Sequence, residues 1–107
     1  MHAVAQALVR FFERVAQREE LALERLRLEP RFRLEQRSWR FTLPDLYAFL
    51  RTQDDVFARI GYRRFRQLVF DCPINQTVKL YGAEITIAEN RAKVDQSSYA
   101  LVWPPEA

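Results

Sequence analysis

The first 29 residues contain neither glycine nor proline, and this uninterrupted stretch is the strongest constraint on how the chain folds. It predicts one long helix over residues 3–28, which Pro30 ends. The apolar positions that recur at helical spacing within it are Val4, Leu8, Phe11, Val15, Ala22 and Leu26.

A helix of that length does not fit within a domain of this size. At 1.5 Å per residue it would be about 39 Å long, whereas a compact domain of 107 residues is roughly 30 Å across. The helix must bend or overhang, and an overhanging apolar stripe is most often buried against a symmetric partner subunit. We therefore predict a homo-oligomer, in its simplest form a homodimer. The alternative is a helix laid across the protein's own sheet. The predicted self-association seam consists of Leu8, Phe11, Phe12 and Val15.

The segment that follows this helix changes to extended periodicity. Phe32 and Leu34 alternate with charged residues, and Trp39 and Phe41 then take the opposite parity. This pattern predicts an extended segment with an irregularity near Ser38.

Two shorter helices are predicted in the middle of the chain. Thr42 is a typical helix N-cap, with Pro44 in the first turn that follows. The sequence TQDD at residues 52–55 interrupts the pattern, and either aspartate in it can cap a third helix. We expect this third helix to run to about Phe70, because Pro73 stops it.

The C-terminal part, residues 73–103, is predicted to form a β-hairpin and a third strand. Apolar residues alternate on both sides of a turn at Tyr81 and Gly82, so that the two strands present matched faces. Residues 99–103 form the third strand. The predicted hairpin pairs are Val78 with Ile85, Lys79 with Glu84, and Thr77 with Thr86.

These elements predict a single α+β domain over residues 1–107. The long N-terminal helix, within residues 1–29, and two shorter helices would pack on a small, mainly antiparallel sheet. The order of helix, extended segment, short helix, basic helix and hairpin is that of a winged helix-turn-helix. This is an analogy of architecture, and it does not establish a function.

The third helix carries the clearest candidate for a binding surface. Arg59, Arg63 and Arg66 cluster within about 60° on a helical wheel and form a basic ridge. Such a ridge can grip phosphates or read guanine edges in a major groove, and the net charge of +3 also favours an acidic partner. Arginines in this pattern are more often a solvated helix face, and Asp54 and Asp55 add negative charge where DNA would lie.

Arg64 differs from the ridge because the wheel places it inside the apolar arc of the same helix. Its stem can pack inward while its charged end reaches solvent, or the guanidinium can pair with a carboxylate such as Asp45 or Glu84. A third interpretation makes Arg64 the anion anchor of a small-ligand carrier with an aromatic pocket.

The sequence offers little for catalysis, cofactor binding or metal binding. Cys72 follows the predicted third helix and is next to Asp71, and both features disfavour a reactive thiolate. The single histidine, His2, is next to the first methionine, so histidine-based acid–base chemistry and nearly all zinc sites are excluded. Two glycines are too few for a phosphate-binding loop. We therefore expect no catalytic residues, no cofactor and no metal.

Composition and the N-terminal pattern indicate where such a protein works. A single cysteine gives no reason to expect an oxidising compartment. The chain has no apolar run long enough to span a bilayer, and the N-terminus lacks the basic region of a signal peptide. We expect a soluble, uncleaved cytoplasmic protein without membrane contact.

Two functions follow from these patterns. The first is a small, non-catalytic interaction or regulatory module that self-associates through its N-terminal helix and can also bind another protein. The alternative is a nucleic-acid-binding regulator that uses the ridge of Arg59, Arg63 and Arg66.

Overall fold

The computed structural model describes residues 3–104, which form five α-helices, one short 3₁₀ helix and a four-stranded antiparallel sheet. The predicted α+β class is confirmed. The helices are α1 (Ala3–Ala16), α2 (Glu20–Arg27), α3 (Leu43–Gln53), α4 (Tyr62–Asp71) and α5 (Ile74–Lys79), and the 3₁₀ helix is Asp55–Arg59. The strands are β1 (Arg33–Leu34), β2 (Ser38–Thr42), β3 (Glu84–Glu89) and β4 (Ser98–Val102), and their order in the sheet is β1-β2-β4-β3.

The prediction of one helix over residues 3–28 is wrong, because the chain bends after α1. Arg18 has a φ of 57°, a left-handed conformation that is uncommon for a residue with a side chain. Its N–H donates to the carbonyl of Val15 and the N–H of Glu19 donates to that of Arg14, so the end of α1 is closed by hydrogen bonds. The bend removes the conflict of length, since α1 has only 14 residues.

The bend lays α1 on the sheet, and this buries most of the predicted seam inside the protein. Leu8, Phe12 and Val15 are fully buried in the protein's own core. Phe11 is half-buried and meets Phe12 edge to face, with ring centroids 5.7 Å apart. Leu8, Phe12 and Val15 therefore offer a second copy no free surface, and Phe11 offers only part of its ring. The predicted seam gives way to the alternative, a helix across the sheet. Self-association itself stays a prediction.

An aromatic cluster forms the centre of the core on the helix-covered face of the sheet. Trp39 and Phe41 on β2 point to this face because they are two residues apart, and their ring centroids are 4.4 Å apart. Phe12 of α1 packs on Trp39 at 5.6 Å. Arg40 lies between the two aromatic residues and points to the opposite, polar face.

The predicted hairpin around Tyr81 and Gly82 is wrong. Residues 74–79 form α5, because Ile74 and Val78 are four positions apart and both are buried. Gly82, with a φ of 82°, turns the chain out of this helix and into β3. The observed hairpin joins β3 to β4 through residues 90–97, and β4 is the third strand predicted at 99–103.

The middle of the chain agrees with the sequence pattern in part. The side chain of Thr42 accepts a hydrogen bond of 3.3 Å from the N–H of Asp45, which confirms the N-cap of α3. The irregularity near Ser38 is a tight hairpin between β1 and β2. The predicted third helix is divided into the 3₁₀ helix and α4, because the backbone is extended at Ile60 and Gly61.

Two further expectations concern membranes and the chain termini. Within residues 3–104, no helix is long and apolar enough to cross a membrane. His2 lies outside the residues that the structure describes, so the expectation that it takes no part in acid–base chemistry or zinc binding stays a prediction.

Candidate interaction groove

An apolar groove of about 470 Å³ opens between the helices and the edge of the sheet. We use the name "the groove" for this opening. Its floor includes Phe12 and Phe41 from the core. Its walls come from the end of α4, the start of α5, strands β3 and β4, and the loop at residues 90–97. The wall residues include Phe70, Cys72, Asn75, Ile85, Ile87, Val94 and Tyr99.

Three large apolar side chains on the groove walls are exposed to water. Phe70 is 57 % exposed, Ile87 is 59 % exposed and Val94 is 40 % exposed. Phe70 meets the ring of Tyr99 edge to face, with centroids 6.5 Å apart. Single exposed apolar residues are common on protein surfaces, but several around one opening typically mark a contact site.

The sequence pattern did not identify this groove, although one signal was available. Phe70 falls on the side of α4 opposite to its buried residues, Phe65 and Leu68, by the rotation of an α-helix. A large aromatic residue on the polar side of an amphipathic helix indicates a contact surface. The exposure of Ile87 and Val94 depends on how the hairpin packs, which periodicity alone does not give.

Strand β3 is an edge strand of the sheet along the groove, and α5 lies against it at Ile85. Among residues 3–104, β3 pairs only with β4, and it has six residues, whereas β1 at the opposite edge has two. Natural proteins usually protect an edge of this length with lysine, proline or a covering element. Glu84–Glu89 contains neither lysine nor proline, and a bulge interrupts the regular pairing only between Ile87 and Glu89.

One main-chain donor of this edge is bonded to a side chain. The N–H of Ile85 donates to the side-chain oxygen of Asn75 over 3.1 Å. Because this N–H points at α5 and away from β4, and because strands repeat every two residues, the N–H of Ile87 also points outward. The main-chain N–H of Ile87 therefore faces outward from the edge, and the N–H of Ile85 also faces outward but is bonded to Asn75.

Cys72 lies half-buried on the wall of the groove. Burial raises the pKa of its thiol, and the negative charge of Asp71 raises it further. A thiol with a raised pKa stays protonated at neutral pH and is a poor nucleophile. The surroundings of Cys72 therefore disfavour a reactive thiolate.

The structure does not place the three ridge arginines on one helix. Arg59 ends the 3₁₀ helix, whereas Arg63 and Arg66 lie on α4, which begins after Gly61. Arg59 and Arg63 are exposed, but Arg66 is held by Asp95, at 3.1 and 3.2 Å from the two carboxylate oxygens. The predicted stripe of three free positive charges is therefore reduced to two.

Asp95 connects the loop at residues 90–97 to α4. Besides its contact with Arg66, it accepts a hydrogen bond of 2.5 Å from the hydroxyl of Tyr62. That hydrogen bond lowers the pKa of the Asp95 carboxyl, and Arg66 lowers it further. Burial raises the pKa of the Tyr62 hydroxyl, and the bond to Asp95 raises it further. Both shifts favour the charged carboxylate beside the neutral phenol, so this contact holds the loop against the helix.

Arg64 is exposed and lies outside the groove. Its guanidinium approaches the side chain of Gln67 at 3.4 Å, and it pairs with neither Asp45 nor Glu84. The groove walls in the described residues carry no arginine. The interpretation of Arg64 as an anion anchor in an aromatic pocket is therefore not supported by its position.

A second cluster of arginines lies on the polar face of the sheet. Arg33 stands directly opposite Arg40 in the pairing of β1 with β2, and both border a shallow opening of about 410 Å³. Arg40 is paired with Glu89 at 3.0 Å, and Arg31 beside it contacts Glu29 and is 3.9 Å from Asp45. Most of the positive charge in this cluster is thus balanced by neighbouring carboxylates.

Within residues 3–104, no group of three or more histidine, cysteine or acidic side chains is arranged to hold a metal ion. Comparison of the chain with protein-family models, with curated proteins and with solved structures finds no match.

Proposed function

We propose that this protein is a small, non-catalytic cytoplasmic module that self-associates through the groove and the adjoining edge of β3. The observation that carries the proposal is the joint exposure of Phe70, Ile87 and Val94 around one opening. Self-association was predicted from the sequence through α1, but the apolar side of α1 is buried in the core, so the contact surface proposed here is a different one. A single cysteine fits a reducing compartment.

The size of the exposed patch supports association of modest strength. Full burial of a side chain of this type contributes roughly 1.5–3 kcal/mol, and each of the three is already about half covered. Covering them supplies on the order of 3 kcal/mol per copy, or about 6 kcal/mol for a symmetric pair. Association costs about 4–15 kcal/mol in lost translation and rotation. Burial of the apolar patch therefore offsets only the lower end of this cost, and a stable dimer needs further contacts.

Sedimentation equilibrium over a range of protein concentrations tests the proposal. The wild-type chain should pass from monomer to dimer as its concentration rises, and Phe70→Ser should shift this transition to higher concentration. Leu80→Ser is the matched control, because Leu80 is 79 % exposed and does not line the groove. A wild-type chain that stays monomeric, or an equal shift with Leu80→Ser, would overturn the proposal.

Nucleic-acid binding is the second candidate, and one observation favours it. Asp95 fastens the loop that carries Arg91 and Lys93 beside α4, which carries the exposed Arg63. A basic helix next to a basic hairpin loop is the arrangement that winged helix-turn-helix proteins use on DNA. The candidate ranks second because Asp95 neutralises Arg66.

Fluorescence anisotropy with labelled duplex and single-stranded DNA tests this candidate at about 50 and 200 mM salt. Binding through phosphates should weaken steeply between the two salt concentrations. The double variant Arg59→Ala, Arg63→Ala should lose the binding that the wild type has at low salt. Arg27→Ala is the matched control, because Arg27 is exposed on α2 and away from α4. Absence of binding at both salt concentrations would exclude this function.

A further inference from the structure

We propose that two copies of the chain associate by antiparallel pairing of their β3 strands around a two-fold axis at Thr86. The two four-stranded sheets would then form one sheet of eight strands. This inference rests on the proposed self-association and specifies its geometry. The occupant is a second copy because the edge is complementary to itself in its hydrogen bonds and in its side chains.

The hydrogen-bonding directions of β3 select this register. In an antiparallel pair, residues that exchange both main-chain bonds must point toward each other. The N–H of Ile85 points away from β4, and that of Ile87 does so by the two-residue repeat. Setting Ile85 of one copy opposite Ile87 of the other satisfies this rule twice, once on each side of the axis. Four main-chain hydrogen bonds then flank a central pair of Thr86 residues.

The side chains of this register are complementary as well. Ile85 and Ile87 lie on the face of the sheet that adjoins the groove, so each apolar residue meets an apolar residue across the axis. Thr86 falls on the opposite face, where it meets its own copy. The bulge after Ile87 ends the regular ladder, so no charged residue stands in a paired position.

A competing register, centred on Ile87, is less favourable. It keeps one pair of outward-pointing residues, Ile87 with its own copy, before the bulge interrupts the ladder. It therefore forms two main-chain bonds where the Thr86 register forms four. It also leaves Ile85 without an apolar partner.

Asn75 regulates this edge in the single chain. Its side-chain oxygen accepts a hydrogen bond from the N–H of Ile85, and this N–H is one of the donors that the partner strand requires. The partner must displace this side chain to complete the ladder. Asn75 thus protects the edge of the monomer and weakens the dimer.

A disulfide at the axis tests the register directly. Residues in a non-hydrogen-bonded antiparallel pair have Cα atoms about 4.5 Å apart, which a disulfide can bridge. Thr86→Cys, made in a chain that also carries Cys72→Ser, should form a covalent dimer on mild oxidation. Glu84→Cys in the same background is the control, because its two copies would lie about 13 Å apart along the paired strands. If Cys72→Ser impairs folding, the parent chain serves, with the linked residues identified by mass spectrometry.

The outcomes separate this inference from the function on which it rests. A wild-type chain that dimerises in sedimentation, with cross-linking at position 86 and not at position 84, supports both. Dimerisation without a cross-link at position 86, or with equal cross-linking at both positions, overturns the strand pairing and leaves self-association standing. A chain that stays monomeric and gives no cross-link overturns both.

Discussion

The indole Nε1 of Trp103 donates a hydrogen bond of 3.1 Å to the main-chain carbonyl of Ala16, 87 positions earlier in the sequence. Ala16 is the last residue of α1, where the carbonyls lack partners within the helix. The guanidinium of Arg18 also lies over the ring of Trp103, 4.9 Å from its centroid. The residue that follows β4 therefore stabilises both the end of α1 and the left-handed bend behind it.

Replacing this tryptophan tests the link. Trp103→Phe removes the donor and leaves a buried carbonyl without a partner, which costs about 1–3 kcal/mol in addition to the lost volume. Trp39→Phe is the matched control, because Trp39 is also buried but its Nε1 has no hydrogen-bond partner among the described residues. Urea denaturation should show the larger loss of unfolding free energy for Trp103→Phe. An equal loss in the two variants would contradict this role.

The two glycines provide a second matched pair. Gly82 has a φ of 82°, and a Cβ atom there would lie 3.2 Å from Cγ of Pro104. Gly82→Ala should lower the free energy of unfolding by about 1–2 kcal/mol, since a side chain is strained in this conformation. Gly61→Ala should change it by less than about 0.5 kcal/mol, because its Cβ would meet nothing within 4 Å. Similar thermal denaturation of the two variants would contradict this account.

Acid should release the loop at residues 90–97. The pKa of Asp95 is lowered in the folded protein, first by the hydrogen bond from Tyr62 and then by Arg66. Its contribution to stability is therefore complete above the ordinary aspartate pKa of about 4, and it is lost as the pH falls through the lowered value. Unfolding free energies measured between about pH 2 and pH 5 should fall more steeply for the wild type than for Asp95→Asn. Parallel curves would show that the contact does not stabilise the fold.

Alkali should act on the same contact from the side of the phenol. The pKa of Tyr62 is raised in the folded protein, first by burial and then by the bond to Asp95. Its contribution is complete below the ordinary tyrosine pKa of about 10, and it is lost as the pH rises through the higher folded value. Tyr62→Phe should remove this part of the alkaline loss of stability. The unfolding free energy at high pH, measured for both chains, checks the result.

The edge of β3 gives a prediction in which a substitution strengthens association. Asn75→Ala frees the N–H of Ile85 for a partner strand. The symmetric dimer gains one hydrogen bond of ordinary strength in each copy, and the two together lower the dissociation constant of the dimer about a hundredfold. Gln76→Ala is the matched control, since Gln76 is the next exposed residue of α5. Sedimentation equilibrium compares the two variants, and weaker association with Asn75→Ala would contradict a protective role.

The fold could be predicted from the sequence where local interactions determine it. Thr42 caps α3 through its own side chain, and β4 follows from the short apolar run at residues 99–103. The bend at Arg18 could not be predicted, because a left-handed arginine is stabilised by a contact with Trp103 from the other end of the described chain. The prediction of a hairpin at Tyr81 and Gly82 was wrong because residues 74–79 fit the periodicity of a strand and of a helix alike. Burial of both Ile74 and Val78 stabilises the helix.

The candidate site was less predictable than the fold. The ridge at Arg59, Arg63 and Arg66 assumed one continuous helix, and the extended backbone before α4 removed that assumption. The groove depends on the packing of a hairpin that was assigned to the wrong residues. The contacts of Asp95 could not be predicted from the sequence, because its partners, Tyr62 and Arg66, are about thirty positions away.

The position of β4 in the sheet also determines when the protein can fold during synthesis. β4 lies between β2 and β3, so β2 is paired only with the two-residue strand β1, and β3 lacks its partner strand, until the ribosome has added Val102. Until then the apolar face of β2, which carries Trp39 and Phe41, lacks the neighbouring strand β4. The chain must therefore complete its sheet after translation of β4, and during that interval its apolar residues are available to chaperones.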